Sequence, residues 1–427
     1  MEIVNGLFDH NIKIISYACN GTEVERLVQK MFLEKGTKCE FKIKAPHSGR
    51  KDVVAVFGMY RGQAFTIIQD SKHALKTMRN NLFSGARFLV FGNHAAIFRH
   101  VLQIIEGEGS PLYARDVIKL DRQDDNAAVR LFSADTLQYL IDNHPQCVGE
   151  IIYLFVFGEL IDAFQNRTIS HAERLKLILR ARYFLDSWEA YLAACGYRKD
   201  RYFISREAAD ILRILVEGFV ALVVIHRDHL SSSTPLLPWL HSSECCEHVF
   251  GEARHVVKDF TYLDFIYMIP KLRIKLHESA LHGKGGNGKA RAAGYSHTYF
   301  DHEGLDLTTL STFPSDAEIT SIAENAAQEA DSLVALLGVN PRVLHKTITS
   351  LPQWLPSIHT WVDDEIDALE HFEPPEEADD FGEAEYLQQI LDHEEDSPIT
   401  RSLKTDQKCL SLTSAALALA MEESKIV

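Results

Sequence analysis

The chain has 427 residues, 46% apolar and 24% charged, enough for two or three domains around a sizeable core. Its formal charge of −16 looks hostile to nucleic acid, yet the sixteen Asp and Glu between residues 363 and 396, with no Lys or Arg among them, account for all of it. Seven scattered cysteines without a Cys-x-x-Cys pair argue against a disulfide framework or zinc knuckle. The N-terminus lacks signal-peptide design, and the most apolar run, 211–225, is short and interrupted by Arg213 and Glu217. The expectation is a protein of the nucleus or cytoplasm, not secreted and with no membrane association.

Residues 12–18 (IKIISYA) read as a buried strand, ended by Cys19-Asn20-Gly21. Thr22 then caps a helix over 23–33, with Glu25 completing a capping box. Strands follow at 41–44, 53–57 and 64–68, and Asp70 opens a helix over 71–82, so the first part alternates as an α/β sheet does. From 95 to 230 the spacing is helical, with helices over 132–143, 148–164, 172–194 and 205–225, the last starting at Ser205. The breakers of 231–238 (SSSTPLLP) separate this block from a helix starting at Ser242 or Ser243, whose hydroxyl is available as N-cap. An aromatic and apolar stretch at 260–269 comes next, then a Gly/Lys loop at 283–288 and helices at 316–337 and 342–349. Beyond 356 the chain turns acidic and poor in apolar residues, which predicts a mostly disordered tail. The fold class is α/β with predominantly helical content.

Two stretches carry chemistry. In SSECCEHVFGEAR (242–254), Glu244, Glu247, Gly251 and Arg254 share one helix face, and Cys246, Val249 and Phe250 point toward a core. Gly251 in mid-helix suggests a close approach by another group. In DSKHALKTMRNNL (70–82), Asp70 emerges at the C-terminal end of a strand, where α/β folds place their sites. His73, Lys76 or Thr77, and Asn80 follow on one face. Gly283 to Lys289 fits Gly-x4-Gly-Lys, but Ala290 stands where a P-loop needs Ser or Thr, so the segment reads as a basic loop with Lys284 and Lys289 available to phosphate. His226, His229, Cys245 and Cys246 read as core and surface residues.

Asp70-x-x-His73-x-x-Lys76-x-x-Arg79-Asn80-x-Leu82, followed far downstream by Glu247-x-x-Phe250-Gly251-x-x-Arg254, resembles two blocks of P-element-like DDE transposases. Ile15 to Gly21 is similar to a third, the strand whose final Asp-Gly carries a catalytic carboxylate; here the position holds Asn20. The resemblance implies a partial RNase H-like sheet over 1–92, an α-helical insertion over 93–235 and a closing helix within 236–275. A C-terminal helical region would occupy 276–358 and an acidic tail 359–427. It implies Glu247 as a metal ligand, Asn20 as a lapsed one, and Asp70, His73 and Lys76 in support. Arg254, Lys284 and Lys289 are the candidates for nucleic-acid contact. The ancestral cofactor would be Mg2+ and the partners DNA, with GTP bound through the helical insertion. The family's first Asp would precede residue 1, so the expectation is a truncated, degenerate and inactive remnant. A strand left without its neighbour invites pairing with another chain, hence a homo-oligomer. The alternative is a non-enzymatic nucleic-acid- or protein-binding module.

Overall fold

A computed structural model describes residues 2–46, 50–84, 87–118, 122–231, 234–281 and 304–346. The Gly/Lys loop with Lys284 and Lys289, the end of the 342–349 helix and the acidic tail lie outside the described residues. Helix α1 (Glu2–Asp9) precedes β1 (Ser16–Cys19), α2 (Glu23–Leu33), β2 (Thr37–Ile43), β3 (Val53–Tyr60), β4 (Gln63–Gln69) and α3 (Ser71–Phe83). A hairpin of β5 (Leu89–Phe91) and β6 (His94–Ala96) leads into α4 (Phe98–Glu106), α5 (Ala114–Val117), α6 (Asp125–Leu131), α7 (Ala134–Asn143) and α8 (Val148–Gln165). Then come α9 (His171–Cys195), α10 (Lys199–Tyr202), α11 (Arg206–His229), α12 (Glu244–Val256) and α13 (Tyr262–Leu281). Helices α14 (Leu307–Leu310), α15 (Asp316–Leu336) and α16 (Pro341–Lys346) complete the described chain.

The main sheet has the order β1-β4-β3-β2. Strands β2, β3 and β4 form an antiparallel meander, and β1 joins the edge of β4 in parallel, in a register that sets Cys19 opposite Gln69. The chain is therefore α/β with a small mixed sheet and mostly helical content. Helix α2 begins as its sequence dictates. Thr22 accepts from the Glu25 amide and the Glu25 carboxylate accepts from the Thr22 amide, which satisfies the orphan donors of the first turn. Inside, the Gln29 amide donates to the carbonyls of Tyr17 and Ile68, and Gln69 donates to Gln29, so one buried amide pair ties α2 to both parallel strands.

One hydrophobic core runs from Ile43 in β2 to Leu344 in α16. Helix α9 is its axis: Leu175, Ile178, Tyr183, Trp188 and Tyr191 are buried around its whole circumference. Helix α11 lies against β3 and β4, and Gly218 permits the approach; a Cβ there would come within 2.6 Å of the Ile67 carbonyl oxygen. Helices α12 and α13 share a separate small cluster of Ala253, Met268 and Leu272. Among the described residues no helix is long and apolar enough to cross a membrane. None of the six described cysteines is in a disulfide.

Three expectations are corrected. The N-terminal segment, assigned no element in the sequence, forms α1, whose Phe8 ring packs on Tyr60 at 5.7 Å. The helical stretch starting near residue 95 is preceded by the β5–β6 hairpin, which takes in Ala95 and Ala96. Cys246 and Phe250 are exposed rather than turned to a core, because only Ala253 of α12 is buried.

Two buried histidines, His171 and His226, and the half-buried His241 pin the segment entering α12. His171 donates from Nε2 to the Leu310 carbonyl at 2.9 Å and stacks on Phe313, with His226 on the same ring and His241 beyond it. Burial pushes His171 down to about 4 and His241 to about 3, and it lowers His226 as well.

Two predictions follow from this packing. Gly218→Ala is expected to destabilise by about 1–3 kcal/mol, because the close contact with Ile67 outweighs the gain in helix propensity. Gly251→Ala, with nothing within 4 Å of the added methyl, is expected to stabilise by about 1 kcal/mol. Denaturant melts giving both variants the same sign would refute that contrast. The second concerns acid. Unfolded His171 and His241 take up protons near their ordinary value of 6.5, whereas the folded imidazoles refuse them until about 4 and 3. Stability is then complete above about pH 6.5 and falls as pH drops, by about 2 kcal/mol at pH 5 for His171 alone. Thermal melts are expected to fall between neutral pH and about pH 5, and less so in His171→Gln; melting temperatures flat over that range would contradict it.

Candidate functional site

The parallel pairing of β1 and β4 ends both strands at the same level, and the Asp70 amide continues the ladder by donating to the Cys19 carbonyl at 2.8 Å. Asn20 and Asp70 are thereby the first residues beyond neighbouring strand ends. Gly21 turns the chain away with φ +92°, and a Cβ there would meet the Gln69 side-chain oxygen at 2.4 Å, so this corner accepts only glycine. Asp70 is buried and caps α3, its Oδ1 accepting from the His73 amide at 2.9 Å.

Helix α12 meets this corner through Ser243. Its hydroxyl lies 2.7 Å from Asn20 Oδ1, 3.0 Å from Asp70 Oδ2 and 2.8 Å from Glu247 Oε1, and its amide donates to Asp70 Oδ2 at 2.8 Å. Of the two serines expected to supply a cap hydroxyl, Ser242 accepts from the Glu244 amide at 3.3 Å and Ser243 caps nothing. Ser243 has helical angles (φ −80°, ψ −9°) and makes no side-chain cap bond, because a capping hydroxyl needs an extended backbone to reach back. The hydroxyl is turned to the acceptors of three chain segments instead. It holds a single proton, so at any instant it satisfies one of three oxygens.

Around this centre Lys72 pairs with Glu244 at 2.7 Å, and Lys76 pairs with Asp125 at 3.0 Å. His73 is held below its ordinary value chiefly by burial and then by the Lys76 charge, against the pull of Asp70, Asp125 and Glu247. Arg79 is wholly buried and donates to the Asp124 carbonyl, and Asn81 accepts from the Ser205 amide at 2.7 Å, so these two members of the block hold α3 against α6 and α11. Just upstream, Ser16 Oγ lies 2.7 Å from His241 Nδ1. Glu247 faces solvent, and Arg254 is exposed about 10 Å further along α12. A Cβ added at Gly251 would meet no other side chain or segment within 4 Å, so the close approach expected there is absent.

Of the residues singled out in sequence, Asn20, Asp70 and Glu247 meet at one atom, His73 lies within their electrostatic reach, and Lys76 and Arg254 stand apart. Ser243, the hub, was missed as a site residue, as were Lys72 and His241. The donors at the centre are two carboxylates, an amide oxygen and a hydroxyl, all hard oxygens. Such a set suits magnesium, manganese or calcium and not a soft metal. A pair of ions needs more negative charge than Asp70 and Glu247 supply, because the amide of Asn20 is neutral.

Comparison with models of protein families, with curated proteins and with solved structures finds no match to this chain.

Proposed function

We propose that the chain is derived from a P-element-like DDE transposase, and that Asn20, Asp70, Ser243 and Glu247 are the remains of its metal-dependent DNA-cleaving centre, now catalytically silent. The observation that carries this reading is the meeting of positions 20, 70 and 247 at Ser243 Oγ, all within 3.0 Å. Those positions belong to three separate sequence blocks on three segments of the chain. A mixed sheet with two parallel strands ending at the site, followed by helices before the Glu247 helix, is compatible with an RNase H-like core carrying an insertion over 93–235.

Bound magnesium would supply positive charge for water activation and for a leaving oxygen. Asp70 and Glu247 would hold the ion, Ser243 would lend a neutral oxygen, and Asn20 would contribute only its amide dipole. Neutral His73 on α3 sits beside the carboxylates, and the exposed Arg254, on the helix of Glu247, could touch a phosphate backbone. GTP binding through residues 93–235 rests on the resemblance alone.

A second reading, a non-enzymatic binding module, is favoured by exposed apolar faces. Val24, Leu27, Val28 and Met31 form an outward stripe on α2, and Tyr262, Leu263, Ile266 and Tyr267 do so on α13. Under it Ser243 simply docks α12 onto the sheet.

Manganese titration of the full chain separates the two. The proposal expects weak binding, lost in Glu247→Ala and strengthened about tenfold or more in Asn20→Asp, since a carboxylate replaces a neutral amide at the same place. Neither Mg2+ nor Mn2+ should support nicking of DNA by the wild type. Manganese binding absent from both the wild type and Asn20→Asp would leave the docking module standing, and nicking that vanishes in Glu247→Ala would overturn the silence.

A further inference from the structure

We infer that His100, Cys147 and Glu150 form a zinc site at the junction of α4 and α8, chemically distinct from the oxygen cluster and independent of it. Their candidate ligand atoms, one each of nitrogen, sulfur and oxygen, all lie within 4.8 Å of one another. Tetrahedral zinc needs such atoms about 3.5 Å apart, so a closure of about an ångström completes the site.

Local structure explains why they meet. Cys147 stands immediately before α8 and makes no side-chain cap bond, and Glu150 follows three residues later on the same face. Gly149 between them lets the start of α8 press against β6; a Cβ there would come within 2.3 Å of the Ala95 carbonyl oxygen. That contact brings the first turn of α4 to the same place. Glu150 Oε1 accepts from the Ile97 amide at 2.7 Å and lies 2.7 Å from His100 Nδ1.

A second observation points to a ligand. Glu150 is 1% exposed, and its other oxygen, Oε2, is buried without a hydrogen-bond partner. A carboxylate oxygen left so in a protein interior is costly unless a cation or donor completes it. Cys147 is also buried, whereas the His100 side chain is 30% exposed and leaves one side open for entry and for a water in the fourth position. The mixed nitrogen, sulfur and oxygen set selects zinc or cobalt over magnesium. On binding, zinc would displace the proton shared by His100 and Glu150 and the thiol proton of Cys147, and would tie α4 to α8.

The test uses the full chain stripped of metal with a chelator and titrated with Co2+, then with competing Zn2+. One ion per chain is expected, with the thiolate-to-cobalt absorption band. The band should persist in the Cys245→Ser/Cys246→Ser double variant, vanish in Cys147→Ser, and return at least about tenfold weaker in affinity in Glu150→Gln. His100→Gln, altering a partly exposed side chain, provides the same loss of affinity if Cys147→Ser does not fold. No thiolate band, or a band that survives Cys147→Ser, overturns the site.

Discussion

The arrangement depends on the register between β1 and β4. Because Cys19 sits opposite Gln69, the two strands release their chains at the same level, and the residues that follow, Asn20 and Asp70, become neighbours although 50 positions separate them. A slip of one residue would point each to the opposite face. The register is held from below by the Gln29–Gln69 amide pair, which ties α2 to both strands, and from the side by Gly21, which no larger residue could replace in that corner. The polar network is buried and satisfied, and such networks specify one geometry more than they add stability.

Much of the local structure was legible because its causes are local. Thr22 and Glu25 announce a helix start within four residues, and α2 runs as read, from 23 to 33. Helices α8, α9 and α11 were visible in their apolar spacing. The β5–β6 hairpin was not, since strands of three residues are too short to display an alternation. Helix α1 escaped because it is short and buries none of its residues. The inward side of α12 was misjudged for a related reason: its periodicity predicts a buried face, but the helix leans on the sheet through polar groups and shares its small apolar cluster with α13.

The candidate site was legible in part. Asp70 and Glu247 stood out through motif resemblance and Asn20 through its departure from it. Ser243 did not, because its acceptors Asp70 and Asn20 lie 173 and 223 residues away and a serine before a helix reads first as a cap. The His100–Cys147–Glu150 cluster was invisible for the same reason. A spacing of 50 residues between histidine and glutamate matches no metal-binding pattern, and only the folded contact between two helix starts brings them together.

The bonds that hold α12 in place are the same ones that would hold an ion. At its N-terminus the helix is fastened by Ser243 and by the Lys72–Glu244 pair. Ser243 offers one hydroxyl proton to three oxygens, and its amide already donates to one of them, Asp70 Oδ2. A cation arriving there would satisfy the oxygens that the proton cannot reach, and would draw Glu247 and Asp70 together. Under the proposed function, metal occupancy and the seating of α12 would be one equilibrium. Under the same proposal, a partner binding the exposed residues of α13 would act on the centre through the same seating of α12.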